Sequence, residues 1–223
     1  NFIPSDAFPK KSATGLIYDS GDYAGALTKT LELIDYDEQR RRQKVLRESG
    51  VYMGIGVAYE LTPEGGTLPG TLVAGYDTST VKVDPSGFVT VLTGVTDPGG
   101  GNRTGIGQIV ADALGVEFEN VRILQGDTQA CPYGFGNYSG RSTIVGGGSA
   151  ALAAEDIKAQ IKMLAAAMME VSEDSIEIFR GLVTTTADPS AQLSFSEVCY
   201  AAYTRNYDIA ACIEPPLEAT RTF

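Results

Sequence analysis

The sequence contains no histidine, and only three of its 223 residues are cysteine. Without histidine, the chain cannot supply Ser-His-Asp or Cys-His catalysis from its own residues, and it lacks the commonest zinc ligand. Cys131, Cys199 and Cys212 are far apart and form no CxxC pair. A zinc site and a disulfide framework are therefore not expected, and this cysteine usage is typical of a reducing, cytoplasmic location.

Long apolar runs and blocks of positive charge are also missing. Four charged residues interrupt the alanine-rich stretch 150–167, so no membrane span is expected. The net charge of −11 argues against a nucleic-acid-binding surface, because such surfaces displace counterions with clustered lysine and arginine. The basic run at 40–47 alternates with glutamates, which is typical of a solvated helix face.

Hydrophobic periodicity and turn residues predict five helices and six strands. The helices are expected at 23–34, 38–47, 104–114, 142–170 and 194–203. The strands are expected at 53–61, 72–83, 88–95, 121–124, 175–179 and 182–186. Capping boxes are predicted at Asp35 with Glu38 and at Ser194 with Glu197. The turn Asp84–Gly87 predicts a hairpin between its flanking strands.

This order of elements predicts an α+β fold, with mixed sheet layers and helices packed on them as a two-layer sandwich. A steady alternation of strand and helix is absent, which disfavours a Rossmann fold or a TIM barrel. Residues 1–50 are interpreted as an extended lead-in and a helical pair, and residues 51–223 as the α+β domain. The tail after residue 207 shows no clear period.

The first unusual stretch is GVTDPGGGNRTGIGQ, from Gly94 to Gln108. Three consecutive glycines lie between a predicted strand and a predicted helix, where backbone N–H groups can approach a ligand closely. The helix start favours an anion, and Arg103 adds a full positive charge. A phosphate would suit this loop, but a wide glycine-rich turn is an equal alternative. Asp97 is interpreted as a turn former.

The second stretch, PYGFGNYSGRSTIVGGGSA, again places glycines before a helix. Arg141 can grip a phosphate bidentately, while Ser142 and Thr143 can cap the helix or bind the ligand. Two such loops suggest one elongated anionic ligand held at two places. The alternative for Arg141 is a pair with an acidic residue such as Asp127. The glycines at 146–148 are interpreted as packing positions, because small residues let a helix approach its neighbour.

At these residues the sequence resembles a known family. The runs GQIVADALGVEFENVRILQGDT and PYGFGNYSGRSTIVGGGSAALAAEDIKAQ resemble the molybdenum-binding large subunit of the xanthine dehydrogenase, aldehyde oxidase and carbon monoxide dehydrogenase family. The opening NFIPSDAFP and TGLIYDSGDYAGAL are similar to an earlier stretch of those subunits. The resemblance implies an interior fragment of a larger catalytic subunit.

The resemblance also implies a molybdopterin cofactor with molybdenum, in bacteria usually as the cytosine dinucleotide. Carried over residue by residue, its contacts in the two loops are Gly100, Gly101, Asn102, Arg103, Asn137, Tyr138, Ser139, Gly140, Arg141, Ser142 and Thr143. Implied partners are the remainder of the subunit, an iron–sulfur protein or domain, an FAD protein or domain, and a small-molecule substrate.

The sequence departs from the family at points that concern the metal. Gly100 stands where relatives have a glutamine that bonds an oxygen ligand of molybdenum, and Arg103 replaces a common histidine. The family's catalytic glutamate has no match here, so no catalytic residue and no protein metal ligand is predicted. We therefore expect a cofactor-cradling portion of a molybdenum hydroxylase that is inactive as an isolated chain. A degenerate, non-catalytic relative that binds a nucleotide or another polyanion is the alternative.

Overall fold

The computed structural model describes residues 2–13, 15, 17–61, 75–188, 190–205, 209 and 215–223. The chain divides into two compact units, Asn1–Thr62 and Pro63–Phe223. Within the described residues, no helix is long and apolar enough to cross a membrane.

Among its described residues, the first unit contains two short strands and two α-helices. Their bounds are β1 Lys10–Lys11, β2 Ile17–Tyr18, α1 Tyr23–Leu33 and α2 Tyr36–Glu48. The Asp22 carboxylate caps α1 by accepting a hydrogen bond from the Gly25 N–H at 2.9 Å. No described residue of this unit is buried, so its helices form without a core of their own.

Two predictions in this unit are wrong. Asp35 lies at the start of α2 in the left-handed region, and its side chain caps nothing. Glu38 instead pairs with Arg41 one turn along the helix. The predicted strand at 53–61 is irregular and pairs with no strand among the described residues.

The described part of the second unit carries two sheets and three α-helices. Its elements, in chain order, are β3 Thr78–Val83, β4 Val89–Thr93, α3 Asn102–Leu114, β5 Val121–Leu124, α4 Gly147–Met169, β6 Ile176–Phe179, β7 Leu182–Thr185, β8 Gln192–Ser194, α5 Phe195–Thr204 and β9 Leu217–Thr222. The larger sheet has the order β5-β4-β3-β9, and the smaller one has the order β6-β7-β8. The α+β class is thus confirmed.

The larger sheet is mixed, and this arrangement determines where its loops meet. Strands β3 and β4 form the predicted hairpin, closed by a hydrogen bond from the Gly87 N–H to the Asp84 carbonyl at 2.9 Å. Strand β9 pairs antiparallel with β3, whereas β5 pairs parallel with β4. Because a parallel pair needs a crossover, α3 lies between β4 and β5 in the chain.

The core lies between this sheet and α4. The buried face of α4 is small and aliphatic, with Ala150, Ala153, Ala154, Ile157, Ile161, Leu164 and Ala165 almost fully excluded from solvent. A side chain at Gly146, Gly147 or Gly148 would meet Val95, Ile109 or Phe223 respectively. The prediction that these glycines permit close packing is therefore confirmed.

The helices and strands that the sequence predicts for the second unit are present, but the sequence does not predict two of the observed strands. Ser194 and Glu197 form the predicted capping box at the start of α5. The short strand β8 was not predicted. Strand β9 was also missed, because only Leu217 is buried in it and no alternation of apolar residues marks it. Positions 72–74 of one predicted strand lie outside the described residues.

Candidate functional site

The two glycine-rich loops leave the carboxyl ends of neighbouring parallel strands. Strand β4 ends at Thr93 and leads through the first loop into α3, while β5 ends at Leu124 and leads through the second loop towards α4. The loops touch each other, because a Cβ atom on Gly94 would lie 2.9 Å from the Cα atom of Gly134. In α/β structures, ligands bind beyond the carboxyl ends of such strands.

The first loop combines an unusual backbone with open space. Gly99 and Gly101 have φ angles of +103° and +81°, which are strained for residues that carry a side chain. A Cβ atom at Gly99, Gly100 or Gly101 would meet no atom within 4 Å. The glycines therefore permit the turn and also leave its outer side free for a ligand.

The N–H groups of this loop already face an anion, the carboxylate of Asp97. It accepts hydrogen bonds from the Gly99 N–H at 2.9 Å and from the Arg103 N–H at 3.2 Å. These bonds, with contributions from the Gly100 and Gly101 amides, hold the pKa of Asp97 below its usual value. Asp97 is thus a turn former, as predicted, and it occupies the position in which a phosphate was considered.

The two polar side chains that follow the glycines differ in whether they are free to bind a ligand. Asn102 donates from its side-chain nitrogen to the Thr96 carbonyl at 3.2 Å and so closes the loop. The Arg103 guanidinium is exposed and has no partner among the described residues. Arg103 is therefore the residue of this loop that offers a free positive charge.

Arg141, in the second loop, is completely buried and committed to the protein. Its guanidinium forms an ion pair with the equally buried carboxylate of Asp77. It also donates to the Gly136 carbonyl at 2.7 Å and to the Tyr76 carbonyl at 3.1 Å. The Tyr138 ring lies 5.1 Å from the guanidinium carbon. The structure thus places Arg141 in an ion pair, with Asp77 as the partner in place of Asp127.

The ion pair has an electrostatic cost that Arg141 offsets only in part. Burial raises the pKa of the Asp77 carboxyl, and the guanidinium opposes that rise. Asp77 precedes β3, so the pair fastens the second loop to the sheet. Asp127 instead accepts hydrogen bonds from the Gln129 and Ala130 N–H groups, as a turn former does.

The other predicted residues of the second loop differ in how far they are exposed to solvent. The Ser142 hydroxyl donates to the Asn137 side-chain oxygen, and both side chains lie inside the loop. Tyr138 and Gly140 are half-buried, whereas Ser139 and Thr143 are exposed. Residues 142–146 form a turn of π-helix ahead of α4, a geometry that is frequent at functional sites.

A cleft of about 250 Å³ lies beside the contact between the two loops, near the strand ends. Thr93 and Thr96 line one side, and Asp127, Cys131 and Tyr133 line the other. The described residues contain no cluster of three or more acidic or cysteine side chains that could hold a metal ion. The lining side chains offer hydroxyl, aromatic, thiol and carboxylate groups to a ligand.

The sequence alone does not reveal the full role of three residues that the geometry makes important. Asp77 was overlooked because its partner lies 64 positions away, and no local pattern marks it. The sequence marks Asp97 as a turn former but does not show that its carboxylate accepts hydrogen bonds from the loop N–H groups. Gln125 directly follows the strand that enters the second loop, and its buried side-chain amide has no partner among the described residues.

Comparison with known proteins identifies relatives that match nearly the whole length of the chain. The family model described as the molybdopterin cofactor-binding domain matches residues 29–223. The carbon monoxide dehydrogenase large chain of Hydrogenophaga pseudoflava is 34% identical over all of the chain, which covers 28% of that protein. The nicotine 6-hydroxylase large subunit of Paenarthrobacter nicotinovorans is 30% identical over 97% of the chain and is covered to 27%.

A solved structure from the same group of enzymes also resembles the chain. The crystal structure of quinoline 2-oxidoreductase from Pseudomonas putida 86 superposes with a TM-score of 0.79 at 34% identity. The match covers 98% of the chain and 28% of that structure's chain. The chain thus spans little more than a quarter of the length of the relatives it matches.

Proposed function

Since the chain belongs to the molybdopterin cofactor-binding domain family, we propose that it forms the cofactor-cradling portion of a molybdenum hydroxylase large subunit. The observation that carries this proposal is the meeting of two glycine-rich loops at the carboxyl ends of β4 and β5. One long ligand can touch both loops there. When bound, the molybdenum–molybdopterin group supplies the redox and oxygen-transfer chemistry.

The residues present fit a long anionic ligand, with one change from the sequence-based prediction. The open side of Gly99–Gly101 and the exposed Arg103 suit an anion at the first loop. The exposed hydroxyls of Ser139 and Thr143 suit polar contacts at the second loop. We assign Arg141 to holding that loop in place, because its guanidinium already has three protein partners.

The remaining contacts follow from the same geometry. Gly100 and Gly101 would approach the ligand through their backbone, since they have no side chains to interpose. Asn102, Asn137 and Ser142 would shape the loops, because their side chains bond within them. Tyr138 and Gly140 would supply the inner surface of the second loop. We propose the cytosine dinucleotide form of the cofactor, whose second phosphate and nucleoside would extend the ligand along both loops.

The proposed partners are the remainder of the large subunit, an iron–sulfur protein or domain and an FAD protein or domain. The chain itself would contribute positioning and electrostatics, while a small-molecule substrate would bind mainly through other parts of the subunit. The sequence predicts no catalytic residue within this chain. We therefore expect no turnover from the isolated chain.

The test is made in the complete large subunit, purified with its partners. Arg103→Ala should reduce cofactor affinity about ten- to a hundredfold, because a charge-assisted hydrogen bond is lost. Molybdenum content by mass spectrometry and cytidine monophosphate released by acid hydrolysis measure the occupancy. Arg42→Ala, which removes an exposed arginine from α2, is the matched control.

Three outcomes separate the hypotheses. Loss of molybdenum and nucleotide together in the Arg103 variant supports the proposal. Normal occupancy in that variant shows that the first loop does not hold the cofactor. A wild-type subunit that contains a nucleotide but no molybdenum supports the non-catalytic alternative, which Asp97 within the loop and Gly100 in place of glutamine favour.

A further inference from the structure

Three hydroxyl groups lie in the apolar core between the larger sheet and α4. They belong to Ser79 in β3, Thr93 at the end of β4 and Ser149 in the first turn of α4. Each of the three residues is completely excluded from solvent. Replacing both partners of a buried hydrogen bond by apolar groups of the same shape is often nearly neutral for stability. Stability alone therefore does not account for three hydroxyls in this core.

The hydroxyls form a continuous chain of hydrogen bonds. The Ser149 hydroxyl lies 2.9 Å from the Ser79 oxygen and 2.8 Å from the Gly146 carbonyl oxygen, and it donates its proton to these two acceptors. Ser79 donates to the Thr93 hydroxyl oxygen at 3.1 Å, directly across the β3–β4 pair. The Thr93 oxygen also accepts from the Val95 N–H at 3.3 Å. A buried polar chain whose members are all bonded makes the local structure rigid and unique.

The two ends of this chain belong to the two loops. Val95 is the second residue after β4, where the first loop begins. Gly146 is the last residue of the π-helical turn through which the second loop enters α4. These two residues also pack directly together, because a side chain at Gly146 would collide with the Val95 side chain. The hydroxyl chain thus joins the two loops from their buried side.

We propose that Ser149 is a positioning residue that holds the first loop in a fixed position relative to the second. This inference rests on the proposed function, in which one elongated anion touches both loops. Ser149 is buried and acts through Ser79 and Thr93, so it does not touch the ligand itself. A ligand held at two places loses affinity when the loops must first be ordered relative to each other, because that ordering costs free energy.

Ser149→Ala in the complete large subunit tests this role through hydrogen exchange. One buried hydrogen bond is equivalent to about two- to tenfold in an equilibrium constant. The Val95 amide should therefore exchange about two- to tenfold faster in the variant, both with and without bound cofactor. Under conditions of partial occupancy, molybdenum content and the cytidine monophosphate released by acid hydrolysis should fall together by a similar factor.

Two further variants separate positioning from a general loss of stability. Ser79→Ala interrupts the chain at its middle and should reproduce both changes, and the double variant should be no worse than the more severe single one. Thr185→Val is the matched control, because it removes a hydroxyl of the smaller sheet that is almost as deeply buried and lies 2.8 Å from the Ser175 hydroxyl. It should lower the melting temperature without changing Val95 exchange or molybdenum content.

Several results would overturn the proposal. These are unchanged Val95 exchange in Ser149→Ala, additive losses in the double variant, and an equal loss of molybdenum in Thr185→Val. Unchanged molybdenum content in Ser149→Ala would also overturn it if Arg103→Ala does lose molybdenum. Normal molybdenum content in Arg103→Ala, together with faster Val95 exchange in Ser149→Ala, would support the positioning role and overturn the proposed function alone.

Discussion

Removal of Arg141 should destabilise the second unit strongly. Arg141→Met keeps much of the side-chain volume but leaves the Asp77 carboxylate buried without its cation. Breaking a fully buried ion pair in this way costs about 3–5 kcal/mol of unfolding free energy. The variant also frees the carbonyls of Gly136 and Tyr76. Typical domains have only about 5–15 kcal/mol in total, so much of the stability would be lost.

The pH dependence of this loss provides a sharper test. Burial raises the pKa of Asp77 above its unfolded value of 3.8, so the folded state retains the proton more readily. The free energy of unfolding therefore falls as the pH rises from 3.8 to the raised pKa of folded Asp77. Removal of Arg141 raises that pKa further, because the guanidinium no longer opposes the effect of burial, and so widens this pH range. The deficit of Arg141→Met relative to wild type should be largest near neutral pH and should shrink as the solution is acidified.

Urea denaturation of the isolated chain, followed by circular dichroism between pH 4 and pH 8, measures both effects. Arg103→Met is the matched control, since it removes an exposed arginine near the same loops. We expect it to change the unfolding free energy by less than about 0.5 kcal/mol. A loss below about 1 kcal/mol for Arg141→Met, or a deficit that grows on acidification, would refute the assignment of Arg141 to a buried pair.

Three further outcomes are expected from the isolated chain. Asp97→Asn should lower the free energy of unfolding at neutral pH. The difference from wild type should disappear as the pH falls through the lowered pKa of Asp97. Urea titrations at a series of pH values measure this difference. Gly115→Ala should cost more than about 1 kcal/mol, because φ is +78° and its Cβ would meet the Ile178 backbone, whereas Gly100→Ala should be nearly neutral in the same titration. Cys199 is buried, and burial raises the pKa of its thiol to about 12. Iodoacetamide should therefore leave Cys199 unmodified until the chain unfolds, which mass spectrometry measures. Modification of the native chain would show local opening.

Local patterns predicted the elements whose residues repeat regularly. Helix α4 was found because alanine and isoleucine recur on one face of its sequence. The capping box at Ser194 was also found, since its two partners lie three residues apart. The same spacing at Asp35 failed, because Asp35 adopts a left-handed conformation in which its side chain makes no capping hydrogen bond. A spacing rule identifies candidate partners but does not determine the backbone that orients them.

Long-range pairing accounts for what the sequence did not reveal. Strand β9 was missed because no alternation of apolar residues marks it and its partner β3 lies about 140 positions earlier. The partner of Arg141 was missed for the same reason. Glycine and arginine at a helix start predict a place for an anion, but they do not reveal which carboxylate of the chain lies there. Both loop arginines were candidates for the ligand, and only burial in the folded chain distinguishes them.

In both loops, a carboxylate of this acidic chain already binds a group that could otherwise bind an anionic ligand. Asp97 occupies the amides at the start of α3, and Asp77 occupies the buried guanidinium of Arg141. An incoming anion must therefore compete with Asp97 or approach from the open side of Gly99–Gly101. The second route keeps the turn intact and brings the anion towards Arg103. The charge that selects the ligand would then lie on one exposed arginine, while the buried pair keeps the second loop in position to receive it.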